Sequence, residues 1–175
     1  KDIHYIKDLN NIDIVKYFCG VDFGWEHFGS MVVIGKDINN NYYLIKEYAY
    51  QHKDIEQWID IAKDIKTQYG NINFYCDHAR PDYIDKLRKN NIRAINANKN
   101  VLEGISMIAS LFKTNKLFIL EDNVDIFKKE IYNYVWKSGK DEPIKSSDDV
   151  LDSLRYAIYS ESKVGNKFDR NRFNL

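Results

Sequence analysis

The run Tyr17-Phe-Cys-Gly-Val-Asp-Phe-Gly24 is apolar, rich in strand-favouring residues and closed by glycine. Two stretches of the same character follow, Phe28–Ile34 and Tyr42–Tyr50, separated by the turn-rich segment Gly35-Lys-Asp-Ile-Asn-Asn-Asn41. Three strands joined by short links predict an antiparallel meander. Beyond it the apolar period changes from two to 3.6. Ile55, Trp58, Ile59, Ala62 and Ile65 recur at helical spacing behind Asp54, a favourable N-cap, so 54–68 reads as an amphipathic helix that ends at Tyr69-Gly70. Asn73–Cys76 reads as a short buried strand, Pro81 opens a helix to about Asn90, and Ile92–Ile95 is another strand. Ile105, Ile108, Ala109 and Phe112 mark a helix, Lys116–Leu120 a strand, and Val124, Phe127, Ile131, Tyr134 and Val135 a further helix. After a loop at Ser138–Ser147, a last helix at about 148–161 is marked by Val150, Leu151, Leu154, Ala157 and Ile158.

A chain of 175 residues with 44% hydrophobic and 30% charged side chains suits one domain with a packed core. Residues 1–16 read as a lead-in or linker, 17–162 as the domain, and 163–175 as a basic C-terminal tail. Apolar runs such as Met31–Gly35 and Phe118–Leu120 are far too short to cross a bilayer, so no membrane association is expected. Cys19 and Cys76 lie within apolar runs and nothing resembles a secretory leader; buried thiols in a reducing compartment are expected rather than a disulfide. With 26 basic and 26 acidic residues the net charge is zero, which argues against a broad phosphate-gripping surface but not against a local basic face. No Gly-x-x-x-x-Gly-Lys-Ser/Thr loop is present, so any nucleotide-driven motor must lie elsewhere.

A meander followed by alternating strands and helices is the element order of the ribonuclease H-like fold: an α/β architecture in which a mixed sheet is covered by helices on both faces. Within that order four acidic residues stand out. Asp22 ends the first strand, Asp77 follows the fourth, and Asp149 and Asp152 lie one turn apart on the last helix. If the first and fourth strands are neighbours, their terminal carboxylates converge, and a helix packed across that edge presents Asp152 to the same point. Such a cluster is costly unless divalent cations neutralise it. Hard oxygen donors select Mg²⁺ or Mn²⁺, and two such ions suit phosphodiester hydrolysis by in-line displacement. Each aspartate also has a plain reading: Asp22 as a turn residue, Asp77 as a cap for the Pro81 helix, Asp148 or Asp149 as an N-cap, and Asp152 as the partner of a surface cation.

The sequence resembles the C-terminal nuclease domain of the large terminase subunit of tailed bacteriophages. The resemblance rests on Gly20-Val-Asp-Phe-Gly24, on Cys76-Asp-His-Ala-Arg-Pro81 with the later Asn90-Asn-Ile-Arg-Ala94, on Val101-Leu-Glu-Gly-Ile105, and above all on Asp148-Asp-Val-Leu-Asp-Ser-Leu-Arg-Tyr-Ala157. The last is similar to the family pattern Asp-His-x-x-Asp-Ala-x-Arg-Tyr-Ala, and coverage runs from about 18 to 160. The resemblance implies that Asp22, Asp77 and Asp152 are the catalytic, metal-binding triad. Asp149 stands where many relatives carry histidine, which leaves it as an extra metal ligand or only a cap. Lys99 is the nearest match to a family lysine. The implied activity is a Mg²⁺- or Mn²⁺-dependent endonuclease that cuts concatemeric viral double-stranded DNA during genome packaging. The implied partners are an N-terminal packaging ATPase, a small terminase subunit and the capsid portal, and the implied location is the host bacterial cytoplasm.

For DNA contact the candidates are Lys86, Arg88, Lys89, Arg93 and Lys99 in one stretch and Lys163, Lys167, Arg170 and Arg172 in the tail. Phosphate contacts carry no sequence information and no recognition helix appears, so little sequence preference is expected. Trp25 and Glu26 adjoin Asp22 and edge the pocket, Arg155 reads as structural, His78 has no role, and Tyr132 and Trp136 read as core. Three other readings stand beside this one: a resolvase or transposase nuclease of ribonuclease H-like fold, a nucleotide-binding module of the actin and sugar-kinase type, and an inert scaffold. In the nucleotide-binding case Trp25-Glu-His27 fills the turn where phosphate-gripping hydroxyls are needed.

Overall fold

The computed structural model describes residues 2–137 and 148–170, with side chains for 3–133 and 148–164. A short 3₁₀ turn, Asp2–His4, leads into a two-residue strand, β1 (Tyr5–Ile6). The expected meander follows as β2 (Ile14–Asp22), β3 (Gly29–Asp37) and β4 (Tyr42–Tyr50), paired antiparallel in sequence order. Then come α1 (Ile55–Tyr69), β5 (Asn73–Cys76), α2 (Pro81–Lys89), β6 (Arg93–Asn96), α3 (Val101–Lys113), β7 (Leu117–Leu120), α4 (Asp125–Lys137) and α5 (Asp149–Arg170). The seven strands form one mixed sheet in the order β1-β7-β4-β3-β2-β5-β6.

The junction that matters is β2 with β5. They pair parallel, Gly20 opposite Tyr75 and Val21 opposite Cys76, so the first and fourth strands of the sequence reading are indeed neighbours. Strand alternation then sorts side chains between two cores. Phe18, Val32, Ile34, Leu44 and Tyr75 pack against α3, α4 and α5, whereas Cys19, Val21, Met31, Val33, Phe74 and Cys76 pack against α1 and α2. Helices therefore cover both faces, as expected. Asp22 falls in the parity of Phe18 and Gly20, and Asp77 in that of Tyr75, which places both on the α5 side.

Local chemistry explains the ends of α1. Asp54 accepts from Gln57 N–H at 2.9 Å while the Gln57 side chain accepts from Asp54 N–H, a reciprocal capping box, and Gly70 closes the helix at φ 85°. Helix α5 approaches β2 at backbone distance. A Cβ on Gly20 would lie 1.8 Å from the carbonyl oxygen of Ser153, so only glycine lets the helix sit there. Both cysteines are buried and unpaired with each other.

Several expectations need correction. Part of the lead-in belongs to the sheet, since β1 pairs parallel with β7 and β2 begins at Ile14. The last helix does not stop near 161 but runs to Arg170, through much of the stretch read as tail. Tyr132 is 62% exposed on α4 and is not core. The loop Ser138–Ser147, the side chains of Tyr134, Val135, Trp136, Lys167 and Arg170, and Arg172 lie outside the described residues. Among the described residues no helix is long and apolar enough to cross a membrane.

Candidate active site

The four aspartates are brought together by backbone contacts. Asp22 ends β2, and the carbonyl of the preceding Val21 accepts from Asp77 N–H at 2.9 Å, which fixes the two residues side by side at the same sheet edge. Asp22 also stands opposite Ser30 on β3. The Ser30 hydroxyl donates to the Asp149 carbonyl at 2.9 Å and lies 2.6 Å from the Ser153 hydroxyl, so the first turn of α5 is pinned over the same edge. Asp149 and Asp152 then project one turn apart from that pinned end.

Charge repulsion marks the convergence. Asp22 is pushed up to about 8, first by burial and then by Asp77, Asp152, Asp149 and Asp148. Asp152 is raised by burial, with Arg155 opposing, and Asp149 is raised by burial, with His27 opposing. Tyr156, one turn beyond Asp152, is raised too, by burial and by the nearby Asp22. Asp149 Oδ2 is buried without a hydrogen-bond partner.

Two cations temper the cluster. Lys99, just before α3, is ion-paired to Asp77, so it belongs to the acidic site rather than to a separate basic patch. Arg155 donates to Asp152 at 2.7 Å, is 6% exposed and lies 4.8 Å over the Tyr156 ring. Its structural reading fits, but its partner is an aspartate of the cluster. Gly104 on α3 makes room for it, since a Cβ there would meet Arg155 Cγ at 2.9 Å. The plain reading of Asp152 is thus partly realised. That of Asp77 is not, because the N-cap of α2 is Arg80.

Does the donor set fit a divalent ion? Among the described residues no three His, Cys, Asp or Glu side chains already meet at metal-ligand spacing. Asp77 is engaged by Lys99 and Asp152 by Arg155. The chemistry of the set does fit, with four hard carboxylates on one edge, Asp22 pushed up to about 8 by burial and its acidic neighbours, and Asp149 with an orphaned buried oxygen.

The remaining expectations divide. Trp25 is 53% exposed and meets the His52 ring edge-on at 5.5 Å, while Glu26 lies 3.5 Å from His52 Nε2. Lys86 pairs with Glu56 at 3.2 Å beside a shallow hollow between α1 and α2 that Lys89 also lines. Arg88 pairs with Asp85 and donates to the Ala94 carbonyl, and Lys163 lies 3.5 Å from Glu103. None of these joins the carboxylates. Sequence reasoning missed His27, which faces Asp149, and Glu130, a buried carboxylate on α4 that accepts from Val150 and Leu151 N–H at 3.0 Å each. Burial pushes Glu130 up to about 8. Its signal was its place on the apolar stripe of Phe127 and Ile131, where a glutamate needs a reason.

Comparison with known proteins agrees with this geometry. A family model described as the terminase RNaseH-like domain matches residues 19–161. The large terminase subunit of Escherichia phage T5 is 24% identical over 92% of this chain, and the chain spans 40% of that protein's length. The nuclease domain of the P22 large terminase superposes with a TM-score of 0.77 at 17% identity, covering 93% of this chain and 89% of that one. The large terminase nuclease domain of bacteriophage SPP1 with bound Mn gives 0.69 at 20% identity, covering 90% and 97%. At those identities the two structures speak to the fold, which is ribonuclease H-like.

Proposed function

The chain belongs to the terminase RNaseH-like domain family, and from that premise we propose that it is the nuclease of a phage DNA-packaging enzyme, a metal-dependent endonuclease for double-stranded DNA. The observation that carries the reading is the convergence of Asp22, Asp77, Asp149 and Asp152, near enough for their charges to act on Asp22, where β2 and β5 end beneath α5. These four residues would hold divalent cations, two Mg²⁺ or Mn²⁺ ions in number and kind; the similar SPP1 domain holds Mn. When bound, such ions supply Lewis acidity at the scissile phosphate and lower the pKa of water to generate the nucleophile. Asp22, repelled by its neighbours, gains most from a cation. Arg155 orients Asp152, and Lys99 holds Asp77 until a competing cation arrives. Trp25, three residues beyond Asp22 and exposed, offers a face against which a duplex can rest.

The role proposed with it is cutting concatemeric viral DNA in packaging, with little sequence preference, in the host cytoplasm. An ATPase domain, a small terminase subunit and the capsid portal are the partners this role needs. The family match favours this reading over the resolvase and actin-type ones, and the plasmid assay below separates it from an inert scaffold.

The test is incubation of the purified chain with supercoiled plasmid, with and without Mn²⁺ or Mg²⁺. Metal-dependent nicking is expected, reduced by at least roughly 100-fold in Asp22→Ala, Asp77→Ala and Asp152→Ala while circular dichroism stays native. Cleavage that survives in the triple variant rejects the assignment.

A further inference from the structure

Resting on that nuclease reading, we propose that Glu130 is a positioning residue that sets the metal-binding aspartates of α5 in place from the neighbouring helix. The first backbone N–H groups of a helix have no partner within it, and a buried end needs an acceptor from outside. For α5 that acceptor lies twenty residues back in sequence. Glu130 Oε2 takes Val150 N–H at 3.0 Å and Leu151 N–H at 3.0 Å, and Glu130 Oε1 lies 3.4 Å from the former. These two amides sit between Asp149 and Asp152. The glutamate is 4% exposed and stands on the apolar face of α4, so it is held by its surroundings and not free to swing into solvent.

The same device fixes α4 itself. Glu47 on β4 accepts from Ile126 N–H at 2.6 Å and Phe127 N–H at 2.9 Å, at the start of that helix. Two carboxylates thus form a relay from sheet to α4 to α5. Ser30 clamps the opposite side of the same turn through the Asp149 carbonyl. A carboxylate at a helix N-terminus is favoured by the dipole, but here it also stands near Asp148 and Asp149, whose charges oppose it. For capping alone a neutral serine or asparagine would serve with less repulsion. A glutamate on the next helix has longer reach, and what its reach specifies is the placement of the turn that bears Asp149 and Asp152.

The test uses Glu130→Gln, which keeps the shape and one carbonyl acceptor, and Glu130→Ala, which keeps neither. Mn²⁺ affinity is measured by calorimetric titration of the full chain, and amide hydrogen exchange is followed at Val150 and Leu151. Ile65→Ala, in the buried core against α1 on the other face of the sheet, serves as the control for general destabilisation. Positioning predicts about tenfold weaker Mn²⁺ binding for the alanine variant and about threefold for the glutamine variant, with faster exchange at both amides. Affinity should be unchanged in Ile65→Ala. If Glu130→Ala fails to fold, Glu130→Gln decides. Wild-type affinity in both variants, or equal loss in the Ile65 control, overturns the positioning role. Absence of Mn²⁺ binding by the wild type removes the nuclease reading, and the positioning role falls with it.

Discussion

At the scale of single residues, the cluster is a compromise in which Asp22 carries most of the strain. A carboxyl whose value is near 3.8 in the unfolded chain and about 8 in the folded one keeps its proton in the native state across that interval, while the unfolded chain has released it. The native state then binds more protons, so this group's contribution to stability falls as pH rises from about 4 to 8. Asn has the same shape and no charge. In metal-free buffer with chelator, Asp22→Asn should therefore be more stable than wild type at pH 8, by about 2 kcal/mol, and equal to it near pH 4. Thermal melts at the two pH values read this directly. A variant that is less stable at both would return Asp22 to the role of an ordinary turn residue. The gain in stability must come with loss of nicking, because the side chain that costs the fold is the one a cation would need.

At the scale of elements, what the sequence revealed and what it hid divide along contact range. Helix α1 was readable from Asp54, the apolar stripe and Gly70, because capping box, face and stop are all local. The neighbourhood of β2 and β5 followed from element order. The two-residue β1 has no pattern to detect, and the far half of α5 is polar, so periodicity faded before the helix ended. Lys99 with Asp77, Glu130 with α5 and Glu47 with α4 are pairings between distant segments, which no local spacing encodes. Gly20 is an intermediate case: its place in Cys-Gly-Val-Asp was noticed, its reason was not. That reason is the 1.8 Å approach of the Ser153 carbonyl. Gly20→Ala should push α5 outward along with Asp149 and Asp152, costing about 3 kcal/mol and lowering the melting temperature by roughly 10 °C. Because the helix carries half the carboxylates, Mn²⁺ affinity should fall in the same variant. A drop in stability with unaltered affinity would mean that the site's geometry does not depend on that contact.

At the scale of the whole molecule the proposed nuclease raises a question of charge, because a chain of zero net charge would have to hold a polyanion. The basic residues singled out for DNA are largely spoken for: Lys86 by Glu56, Arg88 by Asp85, Lys163 by Glu103 and Lys99 by Asp77. The first three are exposed pairs, worth about 0–1 kcal/mol each and easily exchanged for phosphate, so they do not forbid contact. What they remove is the long-range field that would gather DNA from solution. The acidic edge adds local repulsion until cations fill it. Binding by this chain alone should then be weak and shallow in its salt dependence, with a slope of log K against log salt of about −3 or less in magnitude, which corresponds to some three phosphate contacts. Fluorescence anisotropy of a labelled duplex with the non-cleaving Asp152→Asn variant, from 50 to 200 mM salt, measures it. Reversing Lys86 and Lys89 together should flatten the slope by about two units if both touch the backbone from α2, and leave it unaltered if the contact lies along α5. A slope as steep as that of a dedicated DNA-binding protein would reveal a gripping surface that the charge pattern does not contain. A shallow one would mean that the proposed cutting depends on parts beyond this chain to hold the duplex against the aspartates.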